Sequence, residues 1–155
     1  RRFAARLNSG VRPLMKHRCL LVAALLLLVA CGADHTSEAI QQQLEANRLV
    51  DLNTAAPSTW DRVCILGPYS DNQVAAETLG FTWPVESRSS IGESDGISLL
   101  IFVHNNEVVT TVEHLRSHGD FSNLSGRCFP RDQAQFIRQD RPDNSWPWLA
   151  PQDGA

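Results

Sequence analysis

Four cysteines and five histidines carry most of the reactive chemistry in this 155-residue sequence. His114-Leu-Arg-Ser-His118 has i, i+4 spacing, and His104 and Glu113 lie nearby in the chain. Together with Cys64 and Cys128 these groups could be drawn as a zinc site, but neither CxxC nor HExxH accompanies them. His114 falls near the end of an expected strand, where i, i+4 spacing does not bring two rings together. We therefore expect surface histidines and no metal. Ser89-Ser90 and Ser125-Gly126 show no nucleophile-elbow pattern and have no assignable base. The acidic residues are spread along loops, so no carboxylate pair stands out for glycoside chemistry. Asn123-Leu-Ser125 fits a glycosylation triplet, which we read as chance. Cys64 and Cys128 can be a disulfide, two buried thiols or a metal pair. No cofactor is expected and the chain reads as non-enzymatic. The alternative is a small hydrolase using His104, His114 or His118 with an acid.

The densest cluster of large and special residues runs from Trp60-x3-Cys64-x2-Gly67-Pro68-Tyr69 to Leu79-Gly80-Phe81-x-Trp83. Tyr69 and Trp83 are the candidate recognition surface. The simpler reading makes the aromatics core and Gly67-Pro68 a turn.

The elements that must position these residues follow from periodicity. Ile40, Leu44, Leu49 and Val50 give a weak helical stripe over 37–50, with Thr36 or Ser37 as N-cap. Trp60 to Leu66 reads as a strand with Val63 and Ile65 on one face and Trp60, Cys64 and Leu66 on the other. Ser70 caps a helix carrying Val74, Ala75, Thr78 and Leu79, with Asp71 in the first turn and Gly80 as the stop. Residues 86–96 form a loop. Ile97 to Val103 and Val108 to Leu115 form a hairpin around Asn105-Asn106, which suits a type I′ turn. Ile97, Leu99, Ile101 and Val103 share one face and Leu100 and Phe102 the other, so this is a central strand. Phe121 and Leu124 dip into the core, and Cys128-Phe129 starts a short final strand. Beyond Gln139 the chain is polar and proline-rich and should be mobile, although Trp146 and Trp148 ask for a docking site. The expected fold class is α+β: an antiparallel sheet of three to four strands with two helices packed on one side.

The N-terminal region points to an address. Met15-Lys16-His17-Arg18 is basic, and the twelve residues Cys19 to Ala30 carry no charge. That run is shorter than the roughly 20 residues of a membrane span and matches a secretory signal. Its end, Leu28-Val29-Ala30-Cys31, resembles the lipobox of bacterial lipoproteins. The resemblance implies cleavage before Cys31, a diacylglycerol on its sulfur and often a third chain, such as palmitate, on the new amino group. Two or three chains would hold a domain on a bilayer where one binds marginally. In diderm lipoproteins of this kind, Gly32 in place of Asp implies the outer membrane, facing the periplasm. Residues 1–14 read as an over-extended start, 15–30 as the signal peptide, 31–36 as a tether, 37–138 as one domain and 139–155 as a flexible tail.

From Cys31 onward the chain has eight Arg and no Lys against seventeen acidic residues, a net charge of −9. Such a module repels phosphate backbones, which excludes nucleic acid as a partner. The exported compartment that the lipobox implies is oxidising, so a Cys64–Cys128 disulfide becomes the default. Closing that 65-residue loop stabilises by roughly 4 kcal/mol on the chain-entropy model. The Trp60–Trp83 segment and the hairpin look similar to small uncharacterised bacterial lipoproteins, which imply no activity. The Ser-Gly-x-x-Tyr loop of lysozyme-inhibiting lipoproteins is missing, since Ser125-Gly126 runs into Arg127-Cys128. Gln73-Val74 and Leu79-Gly80 are faintly similar to a helix of outer-membrane assembly lipoproteins. The expected function is a lipid-anchored envelope module that binds or assists another envelope protein, with membrane contact through Cys31; the alternative is the small hydrolase, placed in the envelope.

Overall fold

The computed structural model describes residues 32–56, 59–143 and 145–152. In chain order the elements are α1 (Gly32–Asn47), β1 (Leu49–Asp51), α2 (Leu52–Ala55), β2 (Arg62–Leu66), α3 (Asn72–Leu79), β3 (Ile97–His104), β4 (Glu107–Leu115), β5 (Arg127–Pro130), β6 (Gln135–Gln139) and β7 (Trp148–Pro151), with short 3-10 turns between them. This is a small α+β fold with two antiparallel sheets, ordered β4-β3-β2-β5 and β1-β6-β7.

The hairpin organises the larger sheet. Asn105 and Asn106 both take positive φ, 50° and 61°, the conformation that a two-residue type I′ turn demands and that Asn tolerates best. The turn fixes the register Phe102↔Thr110 and Leu100↔Val112, with a bulge after Phe102. β3 is interior to the sheet and seven of its eight residues are buried. Leu100 and Phe102 join one core with Val63, Ile65, Ile40, Leu44 and Phe136. Leu99, Ile101 and Val103 join a second with Leu66, Ala75, Leu79, Val85 and Ile91.

A strand that is apolar on both faces needs a layer on each, and this sets the arrangement of the helices. Helix α1 packs through Ile40 and Leu44 onto one face of the sheet, and α3 through Ala75 and Leu79 onto the other. The helices therefore do not share one side, and the smaller sheet completes the layer of α1. Trp60 also changes face: regular alternation begins only at Arg62, and Trp60 packs in the first core against Phe102, ring centroids 5.2 Å apart.

Other boundaries shift for local reasons. The segment read as a tether is helical from Gly32, and the helix stops at Asn47, followed by Arg48 at φ 57° and by β1. Asp71 rather than Ser70 caps α3, accepting the Val74 N–H at 2.9 Å, while the Ser70 hydroxyl donates to the Gly67 carbonyl at 2.7 Å. Gly80 ends that helix in the left-handed region, φ 79°. Residues 139–155, read as a mobile tail, supply β7, which pairs with β6. Leu149 is fully buried, Asp120 donates its N–H to the Pro147 carbonyl at 2.9 Å, and Leu149 donates to Asp120 at 3.0 Å. Trp146 and Trp148 stay partly exposed beneath the guanidinium groups of Arg116 and Arg141, at 5.2 and 4.3 Å. Cys128 is likewise not in the final strand, because β6 and β7 follow β5.

Candidate functional site

The turn after β2 presents Tyr69. Gly67 donates its N–H to the Ser125 hydroxyl at 2.8 Å, and a Cβ on Gly67 would stand 3.1 Å from Ser125. The Tyr69 N–H donates to the Ile91 carbonyl at 2.8 Å. These bonds hold Tyr69 at φ 63° with 64% of its surface exposed. A non-glycine residue in that region costs on the order of 1–3 kcal/mol and persists only where its surroundings impose it. Beside it lies an open cleft of about 450 Å³ lined by Tyr69, Asp71, Glu86, Ser89, Ser90 and Glu93. Glu113 fastens the far wall: it accepts the Ser89 hydroxyl at 2.8 Å, the Ser90 N–H at 2.6 Å and the Ser90 hydroxyl at 3.1 Å. No Lys or Arg lines the cleft, so it favours a cationic group against the Tyr69 ring. Trp83, the other candidate for this surface, is partly buried against the second core and does not line the cleft.

The histidines divide. His104 stands at the hairpin end with Nδ1 2.9 Å from the Asp61 carboxylate. The Asn105 N–H, followed by His104, holds the Asp61 carboxyl below the usual range. His114, expected at the surface, is fully buried, because it shares with Val112 the inward face of β4 beneath α1. Its Nδ1 lies 2.8 Å from the Ser37 hydroxyl, and its Nε2 has no hydrogen-bond partner. Burial, helped by the His118 charge, pushes its pKa down to about 4; backbone groups of His118 and Gly119 and the charge of Asp120 oppose this. The i, i+4 pair does bring its rings together, 6.5 Å between centroids, because the chain leaves β4 at Leu115 and turns through Arg116–His118. Gly119, at φ 129°, closes this turn around the ring.

Next to it, Asp120 is fully buried and accepts two bonds from Arg116, at 3.0 and 2.9 Å, and the Ser122 N–H at 2.8 Å. Burial raises its pKa, but the Arg116 and Ser122 bonds outweigh that and hold the carboxyl below its usual value. Arg116 also donates to the Asp95 carbonyl at 2.6 Å.

Cys64 and Cys128 are cross-strand partners on β2 and β5, Cα atoms 4.0 Å apart, and form a disulfide. Cys31 lies outside the described residues. Among the described residues no group of three or more His, Cys, Asp or Glu could hold a metal ion, and no helix is long and apolar enough to cross a membrane. No family model, curated protein or solved structure matches the chain.

Tyr69 stands out in the sequence, but the acids gathered around it do not, because they come from a helix cap and two stretches of the 86–93 loop. The pairing of Ser37 with His114 is equally hidden. These residues are 77 positions apart, and no local pattern links them.

Proposed function

We propose that this chain is a lipid-anchored cell-envelope lipoprotein whose domain binds a basic segment of another envelope protein through the Tyr69 cleft. The lipobox-like Leu28-Val29-Ala30-Cys31 supports the anchor, with acyl chains on Cys31 and, in a diderm host, an outer-membrane position facing the periplasm. The observation that carries the binding reading is Tyr69: a large aromatic ring held exposed, in a costly backbone conformation, beside a cleft whose charged lining residues are all acidic. Exposed aromatics in rigid settings are efficient contact residues because little side-chain entropy is lost on binding. The charge of −9 carried from Cys31 onward would add long-range attraction for a basic partner.

The test places a photo-crosslinking amino acid at Tyr69, and at Glu107 as a surface control, in the full chain expressed in a diderm bacterium. The expected result is one discrete adduct at position 69 only, whose crosslinked peptide is rich in Lys and Arg and whose yield falls with salt. Equal crosslinking at both positions, or an adduct on an acidic or apolar peptide, would sink the reading.

A further inference from the structure

A second depression, of about 500 Å³, runs between α1 and β4 and is lined by Ser37, Glu38, Gln41, Glu113, Leu115 and His118. Ser37 supplies its one hydroxyl, and that hydroxyl is 2.8 Å from Nδ1 of the fully buried His114. A nucleophile facing a groove with an imidazole behind it is the first relation a covalent catalyst needs. The second is a base whose ring is held. For Ser37 to donate to Nδ1, the proton of neutral His114 must reside on Nε2. Gly119 packs beside that atom: a Cβ there would lie 3.7 Å from Nε2, in ordinary contact, and 2.5 Å from Leu44 Cδ1, so Leu44 and the φ of 129° are what call for glycine at this position. Phe121 packs edge-on against the ring, centroids 5.6 Å apart.

We propose that Ser37 and His114 form a nucleophile–base pair that accepts an acyl group from an ester or thioester bound in this groove. The Ser37 oxygen forms a bond to the acyl carbon while its proton passes to Nδ1 of His114. The bond from that carbon to the leaving oxygen or sulfur then breaks, and the leaving group takes the proton from Nδ1. Water reverses the sequence: its oxygen bonds to the acyl carbon, its proton goes to Nδ1 and returns to Ser37 as the acyl–Ser37 bond breaks, releasing a carboxylic acid. Gln41, one turn along α1, spends one amide hydrogen on Glu45 at 2.8 Å and keeps a second N–H with which to meet the oxyanion. Glu38 and Glu113, with no Lys or Arg in the lining, exclude anionic acyl donors. Burial leaves His114 neutral at ordinary pH but a weak base, which restricts the reaction to good leaving groups, thioesters or aryl esters rather than amides. This activity goes beyond anchoring and binding at the Tyr69 cleft and depends on neither.

The experiment treats the full chain with a biotinylated fluorophosphonate, in which Ser37 displaces fluoride, and maps the adduct by mass spectrometry. Stoichiometric labelling at Ser37 is expected, absent in Ser37→Ala and slowed about 100-fold in His114→Asn, which keeps an acceptor for the hydroxyl but takes no proton. The wild-type chain supplies a second reading that needs no variant to fold: the labelling rate holds from pH 8 to pH 6 and falls as pH approaches 4. No labelling of the wild-type chain, labelling that persists in Ser37→Ala, an unchanged rate in folded His114→Asn, or a rate that climbs steadily to pH 9 would each overturn the proposal.

Discussion

His114 makes the stability of this domain depend on pH in a window that no other shifted group among the described residues occupies. Its pKa falls from 6.5 in the unfolded chain to about 4 in the folded one. Above pH 6.5 the ring is neutral in both states and the full stability is present. Between pH 6.5 and 4 the unfolded chain binds a proton that the folded chain refuses, so stability is lost as pH falls. At 1.36 kcal/mol per pKa unit, that shift costs roughly 1 kcal/mol by pH 5.5 and between about 2 and 3 kcal/mol by pH 4.5. The shifted carboxylates act elsewhere: Asp61, Asp120, Asp140 and Asp143 all sit below 3.8 in the folded state, so their contributions are present above that value and disappear only below it. Urea titrations of the wild-type chain at pH 7.5, 5.5 and 4.5 read this directly. The midpoint should drop by about 1 M between the first and last, taking an m-value near 2 kcal/mol/M. His114→Asn, less stable at pH 7.5, should lose almost nothing further by pH 4.5. A wild-type midpoint that does not move over this window, or an equal drop in folded His114→Asn, would refute the reasoning.

Three further outcomes follow from the fold. Replacing Cys64 and Cys128 together with Ala should cost roughly 4 kcal/mol in urea unfolding, whereas reducing agent should leave that double variant unchanged. Leu149→Ala should cost about 2–5 kcal/mol, because the side chain is fully buried in the first core, and hydrogen exchange should show protection of the β7 amides; a free-swinging tail would show neither. Tyr69→Gly should raise stability by about 1 kcal/mol relative to Tyr69→Ala, since glycine meets no penalty at φ 63°, and thermal melts of the two variants decide it.

The parts of this fold that could be read from the chain are those whose signals are local. The Asn105-Asn106 turn, the alternation along Ile97 to Val103, the Gly80 stop and the burial of Phe121 and Leu124 each follow from a few adjacent residues. The smaller sheet could not be read this way: β1 has three residues, β6 carries Gln135, Arg138 and Gln139, and their register joins positions more than 80 residues apart, such as Leu49↔Ile137. It gives the first core one residue per strand, Val50, Phe136 and Leu149, too few for period-two alternation to stand out. The helix arrangement was implicit in β3, since two apolar faces require two covering layers, yet the stripe of α1 alone did not say which face it would cover. The site follows the same division. Tyr69 was marked by its Gly-Pro neighbours, whereas His114 was misplaced because burial of a strand-end histidine depends on α1, which lies far away in sequence.

Intact-mass spectrometry of the chain purified from the envelope of a diderm bacterium is the decisive test of the proposed lipid anchor on Cys31. The expected product is a polypeptide beginning at Cys31 and carrying the mass of a diacylglycerol with or without one further acyl chain, lost in Cys31→Ala. A chain that retains residues 15–30, or one that begins elsewhere with Cys31 unmodified, would contradict it.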